Sequence, residues 1–155
     1  MNLITNRTQL DVDRWRVLHD RGWVNMSESE RREWLGEMKG RYGHTDMNRV
    51  EEAVATLSRR LTELEYNHSE LTVKTDWKRE DMPTVEDFKR YFGNVDVLRR
   101  ASTIYPSTPT TPTVAQNLNY SRANDLEQIL LDIDEIITIL PNTWYYAGEI
   151  FTGEV

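Results

Sequence analysis

The side chains best suited to chemistry in this chain are three histidines, His19, His44 and His68, and several close acidic pairs. His44-x-Asp46 has the form of a metal-ligand or catalytic-triad fragment, because a working imidazole needs a carboxylate to orient it. It sits directly before a helix start, so a turn histidine is the simpler reading. Glu51/Glu52, Glu63/Glu65 and Asp132/Asp134/Glu135 could in principle form the paired carboxylates of a glycosidase. Each pair falls on a periodic helical pattern at positions expected to face water, where solvation explains them without catalysis. The chain has no His-Glu-x-x-His, no phosphate-binding loop, no dinucleotide glycine fingerprint and no Gly-x-Ser-x-Gly elbow. Cysteine is absent, which removes disulfides and thiolate metal sites. The sequence therefore assigns no catalytic residue, no metal ligand and no cofactor, and the expectation is a non-enzymatic protein.

What the chain repeats instead is a helix-start signature. Thr45-x-x-Asn48-x-Val50-Glu51 occurs first, and Ser121-x-x-Asn124-x-Leu126-Glu127 follows near the C-terminus. Each offers a hydroxyl for N-capping, a short polar residue three positions on, and then an apolar stripe every three or four residues. The first stripe is Met47, Val50, Val54, Leu57, Leu61, Leu64, and the second is Leu126, Ile129/Leu130, Ile133, Ile136/Ile137, Leu140. The local reading is that the Asn returns a hydrogen bond to the cap while the Glu favours the positive end of the helix dipole. The other reading is that Asn48, Glu51, Asn124 and Glu127 reach a partner helix or a neighbouring extended segment. The local reading is the favoured one, since both copies stand at the same distance from their caps.

Around these two helices the punctuation is clear. Thr8 caps a helix to about Arg21, with Asp11 in its first turn and Gly22 ending it. Ser27-x-x-Glu30 is a capping box for a short helix through Met38, and the long helix then runs from Thr45 to about Glu65. Leu71 to Trp77 alternates apolar and polar residues, as a short strand or an extended arm does. Pro83 and Thr84, with Asp87, open a helix whose inner face is Val85, Phe88, Tyr91/Phe92, Val95 and Leu98. Pro106, Pro109 and Pro112 stand in a bed of Thr and Ser between Ala101 and Asn117, which suits a polyproline II spacer. No Lys or Arg flanks them as an SH3-type ligand would need. Pro141 should stop the last helix. After it Trp144, Tyr145, Tyr146, Ile150 and Phe151 read as a short strand or hairpin that something must cover.

The fold class expected is mainly α: a helical bundle with coiled-coil-like helices, a Pro-rich spacer and a short C-terminal β or extended element. The corresponding units are a helical module over 1–100, the spacer over 101–117, and a C-terminal helix with its aromatic strand over 118–155. Composition agrees with a soluble bundle, since 38% hydrophobic and 29% charged residues leave enough apolar mass for one core. The N-terminus lacks a signal peptide's apolar stretch and no segment approaches a membrane span, so synthesis in the cytosol is expected. Four Asn-x-Ser/Thr triplets, at Asn6, Asn25, Asn67 and Asn119, then read as caps and turns. The net charge of −7 is concentrated at the C-terminal end, where Leu118 to Val155 holds seven acids against Arg122 alone. Such an end argues against a nucleic-acid partner.

The order Arg7-Thr-Gln-x-Asp-Val-Asp13, Gly22-Trp23, Met26-Ser-x-x-Glu-Arg31, Met38-Lys-Gly40, Tyr42 and Thr45-Asp-Met-Asn-Arg-Val-Glu51 resembles a family encoded in tail modules of phages and prophages of Gram-positive bacteria. Lys74-Thr-Asp-Trp77, Pro83-Thr84, Leu98-Arg99, the Pro-rich stretch, Asn124-Asp-Leu-Glu-Gln-Ile-Leu-Leu-Asp132 and Trp144-Tyr-Tyr-Ala-Gly-Glu149 continue the resemblance over nearly the whole chain. It implies a virion component near the tail tip, baseplate or fibre attachment, made in the host cytoplasm and working with other tail proteins. It brings no active residue. Homo-oligomers in a multiple of three are expected, with the aromatic C-terminus as docking element and no membrane partner. A carbohydrate-binding tail tip using exposed Trp and Tyr is one alternative, and a cytosolic prophage adaptor that is never packaged is another.

Overall fold

The computed structural model describes residues 1–114 and 117–152, with backbone alone from 141 onward. Its helices are α1 (Gln9–Arg21), α2 (Glu28–Leu35), α3 (His44–Glu63), α4 (Val85–Ala101) and α5 (Tyr120–Thr152). No strand occurs among the described residues. The mainly helical reading is therefore correct, and so are the starts that local chemistry dictates. Thr8 with Asp11, Ser27 with Glu30 and Thr84 with Asp87 each form a reciprocal capping box. Gly22 ends α1 at φ 74°, a backbone setting that side chains with a Cβ rarely adopt.

The core is made by α3, α4 and α5. Val50, Val54, Leu57 and Leu61 of α3 meet Tyr91, Val95 and Leu98 of α4, and Leu126, Ile129, Leu130, Ile133 and Ile137 of α5. All these side chains are essentially removed from water. α3 and α5 run parallel. Arg49 reaches Glu127, and farther along both helices Arg60 reaches Asp134 and Thr138. Both N-termini therefore lie at one pole of the bundle. The α1–α2 hairpin sits beside this core. It is closed by the stacked rings of Trp15 and Trp34, 6.3 Å apart, and by Arg14 bonding both oxygens of Glu33. The loop before α3 passes α1 so closely that any Cβ at Gly40 would overlap the carbonyl of Asp11.

Two expectations about irregular segments are not borne out. The Pro-rich stretch does not stand free as a spacer. Thr108 and Pro112 are buried. Thr108 Oγ1 donates to Asp132 at 2.6 Å, and Arg99 Nε donates to the Pro109 carbonyl at 2.8 Å. Short threonine side chains and ring carbons pack as readily as they solvate, so composition alone misplaced the segment. The expected C-terminal β element is replaced by helix, because α5 continues through Pro141 to Thr152. One proline costs a helix roughly 3 kcal/mol. A strand would instead need a neighbour to satisfy its backbone, and none exists among the described residues. Trp144, Tyr145, Tyr146, Ile150 and Phe151 thus lie on the last turns of α5.

Leu57, with no exposure, and Leu10, 79% exposed, set the scale for stability. Leu57→Ala should lose about 2–5 kcal/mol in urea unfolding, and Leu10→Ala should stay within about 0.5 kcal/mol of the parent.

Candidate functional site

The polar residues that stand out are the repeated Asn and Glu, and they do not act locally. The caps lie elsewhere. Gly43 precedes α3 with its N–H held by Asp46, and Asn119 Oδ1 accepts from the N–H of Arg122 at the start of α5. Asn48 turns across to an extended segment, where it accepts from the N–H of Trp77 at 2.8 Å and donates to the Trp77 carbonyl at 2.9 Å. One turn on, Glu51 accepts from the N–H of Lys74 at 3.1 Å. On α5, Asn124 accepts from the N–H of Arg7 at 3.0 Å and donates to its carbonyl at 2.9 Å, while Glu127 accepts from the N–H of Ile4 at 2.5 Å. Each Asn-x-x-Glu is a clamp on an extended segment, gripping residues three apart. The segments match as well: Ile4-Thr-Asn-Arg7 and Lys74-Thr-Asp-Trp77.

The arrangement is reciprocal. α3 holds the extended segment that precedes α4, and α5 holds the one that precedes α1. Asn48 and Asn124 stand 76 positions apart, as do Glu51 and Glu127, Thr8 and Thr84, and the first residues of α3 and α5. Burial follows the same register, with Val50, Glu51, Val54, Leu57 and Leu61 answered by Leu126, Glu127, Leu130, Ile133 and Ile137. The clamp and the helix that carries it are one arrangement used twice.

Each clamp carboxylate also carries a charge partner. Glu51, 1% exposed, takes a two-pronged bond from Arg90 at 2.6 and 2.9 Å. Glu127, with no exposure, takes Arg7 at 2.6 Å and Arg49 at 3.0 Å through each of two nitrogens. Asp46 lies between the same two guanidinium groups, bonded by Arg7 at 2.8 Å and by Arg49. Two cations and two anions thus close a neutral cluster. Burial opposes the charge on Arg7 and Arg49, but their bonds to Glu127 and Asp46 outweigh it and hold both above the usual arginine range. Beside them Tyr42, whose ring lies under Arg7, shares a hydrogen bond of 2.5 Å with Tyr91. Burial raises both phenols above their ordinary value.

These placements correct the expectation that Glu51 and Asp132 face water, and Glu127 is buried with them. A carboxylate in phase with the stripe was the available signal. Glu51 follows Met47 by four and precedes Val54 by three, and Glu127 stands in the same relation to Ala123 and Leu130. Arg7 and Tyr42 stood only within the motifs of the resemblance, and nothing in the sequence marked them or Arg90 as partners of these carboxylates. The histidines are scattered: His44 opens α3, His19 sits on α1 against Trp15, and His68 bonds the carbonyls of Ser58 and Ser69. Among the described residues no three His, Asp or Glu side chains are grouped to hold a metal ion. Thr45 is half-buried in the first turn of α3 and Ser121 is exposed in that of α5.

The site is a lock, its donors and acceptors spent on the chain's own backbone. No family model matches the chain, nor does any curated protein or solved structure.

Two outcomes test the lock. Asn48→Ala should expose the amides of Lys74 and Trp77 to hydrogen exchange while sparing those of Ile4 and Arg7, and Asn124→Ala should do the reverse. Each substitution leaves two buried backbone groups unpaired and should cost about 1–3 kcal/mol. The tyrosine pair sets an alkaline limit. Because burial raises both phenols, their share of stability is complete below the unfolded-state value of about 10 and is lost as pH rises beyond it. Urea unfolding from pH 8 to 11.5 should show that decline, and Tyr42→Phe with Tyr91→Phe should flatten it.

Proposed function

We propose that this chain is a non-enzymatic structural component of a phage or phage-like tail, at the baseplate, tail tip or fibre attachment, and that it works by protein–protein assembly. The supporting observation is where its buried polar groups are used. Glu51, Glu127, Asp46, Arg7, Arg49 and Arg90 bond one another and the backbone of two extended segments. An enzyme keeps such groups turned toward a substrate, whereas a part that must hold its shape under load turns them inward. The resemblance of the chain's motifs to tail-module proteins supplies the setting.

Its partners on this reading are other tail proteins and further copies of itself, in a multiple of three. The docking residues proposed are Trp144, Tyr145, Tyr146, Ile150 and Phe151. Since they belong to a helix, docking would proceed by helix packing into a groove and not by adding a strand to a sheet edge. Among the tryptophan side chains that the structure describes, Trp77 is buried and Trp15 stacks on Trp34, which leaves Trp23 as a half-exposed ring capped by Arg31. A sugar-stacking surface has less to build on.

Quantitative mass spectrometry of purified particles should find this chain in a fixed small ratio to the tail-tube subunit, in a multiple of three. Absence from intact particles would overturn the reading. Removing residues 144–155 should abolish incorporation while circular dichroism shows the remaining helices intact.

A further inference from the structure

Most arginines of this protein are paired, but three cations at one pole are not. Arg41, Lys78 and Arg79 line a cleft of about 390 Å³ at the N-terminus of α3. None has an ion-pair or side-chain hydrogen-bond partner among the described residues. Asp81, the acid lining the same cleft, is already engaged by the Lys78 N–H at 3.0 Å and the Lys74 ammonium at 3.1 Å. The cleft continues, past Arg41, His44 and Arg79, into a second hollow of about 560 Å³ that adds Lys39 and Arg49 as cations and Glu37 and Asp46 as acids. Arg49 and Asp46 belong to the closed cluster already described. The first-turn amides of a twenty-residue helix add positive potential at the same place.

One wall of the cleft is aromatic, formed by Tyr42, Trp77 and Phe88, with the Lys74 ammonium seated 3.8 Å from the centre of the Trp77 ring. Trp77 is 4% exposed and its backbone is fixed by Asn48, yet its buried indole N–H has no acceptor. Three unpaired cations beside aromatic side chains suit the cleft to a segment that carries a carboxylate among aromatic residues.

The chain carries such a segment where its own cleft cannot use it. Because α3 and α5 are parallel and start in register, Leu64 after α3 corresponds to Leu140, and α5 then continues twelve residues to Thr152. At 1.5 Å per residue that is about 18 Å of helix leading away from the basic pole, along a bundle about 30 Å long. The sequence of that extension holds Trp144, Tyr145, Tyr146, Phe151 and Glu149, with no Lys or Arg. We propose that the basic, aromatic-walled cleft at the N-terminal pole is an assembly site for the C-terminal end of α5, residues 141–152, of a second copy of this chain. Copies then join head to tail through a heterologous contact, which closes into a ring or extends as a filament.

Sedimentation velocity on the full chain tests this apart from any particle. The parent should associate with rising concentration and weaken about tenfold or more between 50 and 500 mM salt. Arg41→Glu with Arg79→Glu should be monomeric, since neither side chain has a folding partner to lose. A chain ending at Leu140 should also be monomeric, with Glu149→Lys plus Phe151→Ser in the full chain as the equivalent should truncation disturb folding. Mixing the cleft variant with the tail variant should give a one-to-one heterodimer that grows no further, since one supplies the only intact tail and the other the only intact cleft. A parent that is monomeric at 200 µM, a variant that still self-associates, or a mixture that stays monomeric would each overturn the proposal.

Discussion

A carboxylate sealed from water must be answered in full or it unfolds its surroundings, and this chain contains two at equivalent positions. Glu51 and Glu127 sit within the apolar stripes of α3 and α5, where an unpaired anion would cost several kcal/mol. Each is answered in the same way, by a backbone N–H from an extended segment and by arginine. The segment cannot leave without stranding the carboxylate, and without the carboxylate the segment loses a backbone partner. Much of the fold follows from that mutual dependence. For the two extended segments, side chains of a helix supply the hydrogen bonds that a sheet would have supplied.

Reciprocity makes the dependence global. Ile4 and Arg7 are held from 117 to 123 residues away, and Lys74 and Trp77 from 23 to 29. The first lock spans nearly the whole chain, so it closes only once α5 is in place, and the entropy of closing that loop is met late. The second can form within the middle of the chain. The neutral cluster of Arg7, Asp46, Arg49 and Glu127 then joins the N-terminal arm, α3 and α5 at one point. Parallel α3 and α5 are a consequence too, since two equivalent helices exchanging equivalent segments present the same ends to the same pole.

The line between what the sequence revealed and what it hid follows the range of the interaction. Thr8, Ser27 and Thr84 announced their helices because a capping box closes within four residues. The stripes of α3 and α5 were readable because burial repeats with the helix period. Asn48, Glu51, Asn124 and Glu127 were recognisable as a repeat, but a local bond to the cap and a distant bond to an extended segment ask for the same residue types. Only the partner's position separates them, and that is set by the tertiary fold. The Pro-rich stretch and Pro141 were misjudged for a related reason. Proline reports what the backbone cannot do, while neighbours decide what it does.

The same division separates the interior of this molecule from its surface. Inside, the two clamp carboxylates and Asp46 are each answered by arginine. Arg41, Lys78 and Arg79 stand at the end where both long helices begin. Parallel helices add their dipoles, so the cations stand where those dipoles already favour anions. Antiparallel packing would have cancelled much of that field. A fold locked by reciprocal clamps, with its two long helices parallel, therefore has two electrostatically unlike ends.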